Sequence, residues 1–122
     1  MSNQASAIGQ RGEQLAIEYL RKNGFMIVAR NWRAGRYEID IVASKMGVVR
    51  FVEVKTRRAG SLLTPEKAIN SSKETAIRRA AAAYIAQNRV VGDVAFDLVA
   101  VDIYPDGSHD LRYVPDAVEF GW

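Results

Sequence analysis

Apolar residues recur every three to four positions from about Ala5 to Asn23, then at alternate positions or in unbroken runs from Phe25 onward. The first pattern predicts a helix, closed by Asn23-Gly24, a usual C-terminal stop. "FMIVAR" (Phe25 to Arg30) reads as a short, continuously apolar strand, and "NWRAGR" as the connection after it. "EIDIVASKMGVVRFVEVKTRR" reads as a hairpin of two alternating strands, with Met46-Gly47 as a two-residue turn that sets Lys45 opposite Val48. "GSLLTPEKAINSS" is a loop containing Pro65, with a helical turn opened by Thr64. Ser71 and Glu74 are spaced as a capping box and open a second helix that runs to about Asn88. "VAFDLVAVDIY" is a strand, "PDGS" a turn and "LRYV" a final strand. The order is α-β-β-β-α-β-β. The step from "VEVK" through the second helix to "VAFDLV" has the length of a crossover, which makes those two strands parallel within a mixed α/β sheet.

The hairpin departs from a plain amphipathic pattern. Side chains alternate along a strand, so Glu53 and Lys55 share a face about 6–7 Å apart while Val52 and Val54 take the other. By the same rule Glu38 and Asp40 oppose Ile39 and Ile41, and the Lys45–Val48 register sets Asp40 across from Glu53. Like charges facing each other on a sheet cost roughly 0.2–1 kcal/mol. A hard divalent cation reverses that sign, because Mg²⁺ takes one or two carboxylates together with waters and phosphate oxygens. A hairpin with one wet face, on which Lys55 neutralises Glu53 and Glu38, is the competing reading.

Each helix carries one charge on its apolar side. Ile8, Gly12, Leu15, Ala16, Ile17, Tyr19 and Leu20 form the arc of the first helix, and Glu13 projects into that arc. A carboxylate turned toward a core needs a cation or strong donors, unless it reaches water at the edge of the stripe. Ile69, Ala76, Ile77, Ala80 and Tyr84 form the second stripe, and Lys73 lies within it, in a first turn where the helix dipole disfavours a cation. The alternative for Lys73 is a long stem that snorkels to water. Two misplaced charges together with the hairpin point to one cluster: Glu13, Asp40, Glu53, Lys55 and Lys73.

Composition narrows the setting. The 122 residues suffice for one domain, spanning 1–122, with a single core. There is no cysteine, so disulfides and thiolate zinc sites are excluded. The start "MSNQASAIGQRGEQ" has no apolar signal region, and no run approaches a membrane span, so a cytoplasmic protein is expected. The net charge is +3, but unevenly spread. Residues 1–60 carry eleven Lys and Arg against five Asp and Glu, which suits an anionic partner such as nucleic acid.

Asp40 followed by Glu53-Val54-Lys55, after a helix bearing Arg11-Gly12-Glu13, resembles the D…(D/E)xK signature of the restriction-endonuclease-like superfamily. The wider set "RGEQLA", "NWR", "EIDIVA", "FVEVKTR", "AINSSK" and "FDLVAV", spread over nearly the whole chain, is similar to the YraN-like family of small bacterial proteins, related to archaeal Holliday junction resolvases. The resemblance implies a restriction-endonuclease-like mixed sheet flanked by helices and a metal-dependent endonuclease acting on DNA, branched junctions included. It implies Asp40 and Glu53 as ligands of Mg²⁺ or Mn²⁺, with the Val54 carbonyl as a further oxygen and Glu13 in support. Lys55 would position the attacking water, and Lys73 matches a basic position on the later helix. Ile39 stands where the superfamily's proline often precedes the aspartate, and Tyr37 where a glycine is frequent, but neither departure removes a ligand. Symmetric cutting of a junction would call for a homodimer.

The chemistry suits these residue types. Unaided phosphodiester hydrolysis is extremely slow, and a bound metal can polarise the phosphate and generate hydroxide. Arg33, Arg36, Arg57 and Arg58 flank the hairpin as surface cations, with phosphate contact as their functional reading. His109 has no assigned role, Trp32 and Tyr84 read as packing residues, and Asp97 within an apolar strand is open between local hydrogen bonding and support of the site. A non-catalytic nucleic-acid module with the same fold is the main alternative, and RNA as the substrate is another.

Overall fold

The computed structural model describes residues 7–59 and 71–118, without the side chains of residues 71–73 and 118. The order of elements is the expected one: α1 (Ala7–Lys22), β1 (Met26–Ala34), β2 (Tyr37–Lys45), β3 (Val48–Arg58), α2 (Ser71–Asn88), β4 (Val94–Ile103) and β5 (His109–Val118). The strands lie in one mixed sheet in sequence order, antiparallel throughout except for the parallel pair β3–β4. That parallel step is the crossover made through α2. The loop before α2, Ile69 and the capping Ser71 side chain fall outside the described residues.

The two helices cover opposite faces. α1 buries Ala16, Ile17 and Leu20 against Ile41, Ala43, Val52, Val99 and Val101. α2 buries Ile77, Ala80, Ala81 and Tyr84 against Ile39, Val42, Phe51 and Phe96. Fully buried side chains such as Phe51 and Phe96 contribute about 2–3 kcal/mol each. α1 ends as its sequence predicts. Gly24 has a φ of +86°, the Phe25 N–H donates to the Leu20 carbonyl and the Gly24 N–H to that of Arg21, which closes the helix in a Schellman motif. Gly12 is the contact point of α1 with the sheet. A β-carbon there would collide with the Thr56 hydroxyl and its neighbouring carbons on β3, so only glycine lets the helix come this close.

β1 corrects one expectation. It extends through Asn31–Ala34, so "NWRA" is strand, and the turn is only Gly35-Arg36. It is also an edge strand with one open side: a bulge skips Val28, and Met26 and Val28 are 68% and 48% exposed. The β2–β3 turn is as expected, with Lys45 facing Val48 and positive φ at both Met46 and Gly47.

Candidate active site

β2 and β3 form a fork. Their ladder runs from Lys45–Val48 to Ile41–Val52 and ends there. Beyond that point β2 stays paired with β1 as far as Tyr37, while β3 stays paired with β4 as far as Arg58. Asp40 is the first residue past the split, and its Oδ2 accepts the Val54 N–H at 2.8 Å. A side-chain carboxylate thus takes the place of the next ladder carbonyl.

This geometry revises the expected shared face. Ile39 packs in the α2 cluster and Ile41 in the α1 cluster, although both were expected opposite Glu38 and Asp40. The alternation breaks at Asp40, and the register of β1 on β2 sets Asn31, with a φ of +49°, beside it. A left-handed residue turns the strand at this point. Because it binds a backbone N–H, the Asp40 carboxylate lies in line with the ladder, between the two faces of the sheet. On β3, Phe51 faces α2 and Val52 faces α1, so Glu53 and Lys55 lie on the α2 side. The Lys55 Nζ is 3.1 Å from Glu53 Oε2. Glu13 comes from α1 on the other side, where the Asn31 amide donates to its Oε1 at 3.4 Å.

The electrostatics tie these groups together. Burial first, and the Glu53 charge next, push the Asp40 pKa up to about 8, against the lowering effect of the Val54 N–H; Glu13 and Glu38 add to the rise. Glu13 is raised too, mainly by burial and with contributions from Glu38 and Glu53, while Asn31 and Arg30 oppose the shift. Carboxyl groups are therefore crowded at the fork, where burial and one another's charge oppose their ionisation. Such crowding is typical of functional sites.

The sequence matches the uncharacterised protein family UPF0102 over residues 12–101. The chain belongs to that family. It is 42% identical over 100 residues to a UPF0102 protein of Porphyromonas gingivalis, covering 82% of this chain and 74% of the relative. A UPF0102 protein of Trichlorobacter lovleyi is 37% identical over 118 residues, covering 95% and 93%. One from Alkaliphilus oremlandii is 41% identical over 99 residues, covering 79% and 85%. The matched span of this UPF0102 chain contains Glu13, Asp40, Glu53 and Lys55.

The flanking cations divide into different environments. Arg33 sits 3.7 Å from Glu38, and Arg58 is exposed. Arg57 is no mobile surface cation: its Nε donates to the buried Asp102 at 2.6 Å, and Arg112 meets the same carboxylate at 3.3 Å. Burial works against that charge, but the two guanidinium groups hold the Asp102 pKa below the ordinary range. Lys73 has its backbone in the first turn of α2, and its side chain is outside the described residues. His109 is exposed at the start of β5; Trp32 and Tyr84 stack edge to face at 5.1 Å, as packing residues. No helix among the described residues is long and apolar enough to cross a membrane.

Asp97 is resolved in favour of local bonding. It is fully buried and accepts from Arg50 (3.0 Å), the Tyr113 hydroxyl (2.5 Å) and the Asp116 N–H (2.9 Å). It sits where the β4–β5 register shifts between Phe96 and Leu98. Here, as at Asp40, an aspartate carboxylate satisfies a backbone N–H that an irregular ladder leaves over. The signal in the sequence was an acid inside an apolar strand, but its partners Arg50, Tyr113 and Asp116 are too distant in sequence to be paired by pattern.

Proposed function

We propose that this protein is a Mg²⁺- or Mn²⁺-dependent endonuclease that hydrolyses phosphodiester bonds in DNA, with branched, four-way-junction DNA as its substrate class. The observation that carries this reading is the meeting of Asp40 and Glu53 at the fork, with Lys55 against Glu53 and Glu13 behind. The donor chemistry suits a hard cation. Asp40 and Glu53 supply two carboxylates whose mutual repulsion a divalent ion would relieve, and the backbone that offers the Val54 N–H to the fork turns its carbonyl to the same edge. Among the described residues no three Asp, Glu or His side chains are grouped closely enough to cage a metal. An open set of that kind suits an ion that keeps several waters and takes oxygens from a phosphate. When bound, the ion supplies Lewis acidity toward the phosphate and a lowered pKa for an attacking water.

The protein's own groups do the rest. Lys55 orients the nucleophile and offsets the charge that builds on the phosphoryl oxygens. Glu13 holds the far side of the fork through Asn31 and adds to the negative potential that draws a cation in. Arg33 and Arg58 are available to phosphates on the flanks.

The test is cleavage of labelled four-way junction, flap, duplex and single-stranded DNA with Mg²⁺ or Mn²⁺, against EDTA. Metal-dependent products that disappear in Asp40→Asn and Lys55→Ala, with fold and DNA binding kept, support the reading, and the order of substrates names the preferred structure. Wild-type rates in either variant would refute it. A non-catalytic DNA-binding module or partner subunit is the second reading, favoured by Lys55 being engaged with Glu53. Binding without cutting, unchanged by Asp40→Asn, would select it.

A further inference from the structure

Beside the fork, where the β1–β2 turn approaches α2, two arginines meet on one tyrosine. The Arg36 guanidinium lies over the Tyr37 ring, 5.5 Å from its centroid, and Arg79 on α2 donates to the Tyr37 hydroxyl at 3.3 Å. With Thr75 and Ala76 they line an open cavity of about 490 Å³. Among the described residues no carboxylate pairs with Arg36 or Arg79, whereas Arg33, Arg50, Lys55, Arg57 and Arg112 all have one. Arg36 and then Arg79 also lower the Tyr37 pKa, a sign of positive potential at the hydroxyl. Two guanidinium groups held together without a counter-charge repel each other, and an anion placed between them removes that penalty.

We propose that Arg36, Tyr37 and Arg79 form a phosphate-binding subsite that grips the backbone of a nucleic-acid strand passing the fork. It rests on the proposed action on nucleic acid, and extends it to a place on the surface. The planar forks of the two arginines fit phosphate oxygens, and an open, polar-rimmed cavity suits a backbone rather than an enclosed small molecule. Tyr37 is a positioning residue: its ring carries Arg36 and its hydroxyl aims Arg79. Tyr37 lies three residues from Asp40 on β2, about 10 Å along a strand.

The experiment measures binding of a fluorescein-labelled DNA junction and a labelled single strand to the full chain by anisotropy in EDTA, over a range of salt, alongside cleavage in Mg²⁺. Arg36→Ala and Arg79→Ala should each weaken binding about three- to tenfold and lower the salt slope by about one. Arg21→Ala, on an exposed turn at the end of α1, serves as the control for general loss of charge. Tyr37→Phe keeps the ring under Arg36 but releases Arg79, so it should reproduce the Arg79→Ala effect in part. Affinities and slopes for Arg36→Ala and Arg79→Ala equal to those of Arg21→Ala would overturn the subsite, as would no binding of nucleic acid at all. The two readings separate cleanly. Weakened binding in these variants of a protein that never cuts supports the subsite while the nuclease reading falls, and undiminished binding in variants that still cut does the reverse.

Discussion

Asparagine in place of Asp40 removes an ionisable carboxyl while keeping the shape of the side chain. Its oxygen can still accept the Val54 N–H, now 2.8 Å from Oδ2, and no cavity opens. In the native protein, burial and the Glu53 charge raise the Asp40 pKa from 3.8 to about 8. A carboxyl that ionises near pH 4 when unfolded, but only near pH 8 when folded, costs nothing below pH 4. It erodes stability progressively as the pH rises between those values. At about 1.4 kcal/mol per pH unit, the erosion at pH 7 has an upper figure of about 4 kcal/mol. Asp40 is partly buried, and relaxation of the protein and water around the charge reduces this to about 2 kcal/mol. Urea unfolding in EDTA at pH 4, 5.5 and 7 reads the effect directly. The variant should match the wild type at pH 4 and be about 2 kcal/mol more stable at pH 7, even though its cleavage activity is lost. A less stable variant at pH 7, or a difference that does not change with pH, would refute the account of Asp40 as a carboxyl whose ionisation the fold opposes. A functional residue whose removal stabilises the fold is a familiar trade-off.

Gly12→Ala should lower stability by about 1–3 kcal/mol, because the new methyl must displace Thr56 or the whole of α1. It should also reduce any metal-dependent cleavage, since Glu13 rides on the displaced turn; a thermal melt together with a cleavage assay checks both effects. Asp97→Ala should cost about 3–5 kcal/mol, because Arg50, Tyr113 and the Asp116 N–H lose one shared acceptor; denaturant unfolding reads it, and a loss under about 1 kcal/mol would show that water replaces the carboxylate.

Periodicity in the sequence was enough for the order of elements, the parallel crossover and the Met46-Gly47 register, because helix and strand patterns, turn residues and crossover length are local properties. It was also enough to bring Glu13, Asp40, Glu53 and Lys55 together as candidates, each an acid or base in an apolar setting. The fork was not legible. A left-handed Asn31 stands beside Asp40 there, and strict alternation has no means of expressing a strand that changes faces midway. The edge position of β1 was not legible either: Met26 and Val28 are as apolar as core residues, but an edge is decided by which strands pair, not by hydrophobicity. Arg57 looked like any surface cation because its partner, Asp102, lies 45 residues on.

The fork has a consequence for how the site can be lost. Asp40 both supplies a proposed ligand and keeps the ladder from closing, since its carboxylate occupies the N–H of Val54. An apolar residue at position 40 offers no acceptor, and a backbone N–H left without one seeks the nearest carbonyl. In such a descendant β2 would zip further onto β3 and the notch would heal over. Restoring the aspartate would then have to reopen a finished sheet, so inactivation at this position is a ratchet rather than a reversible step.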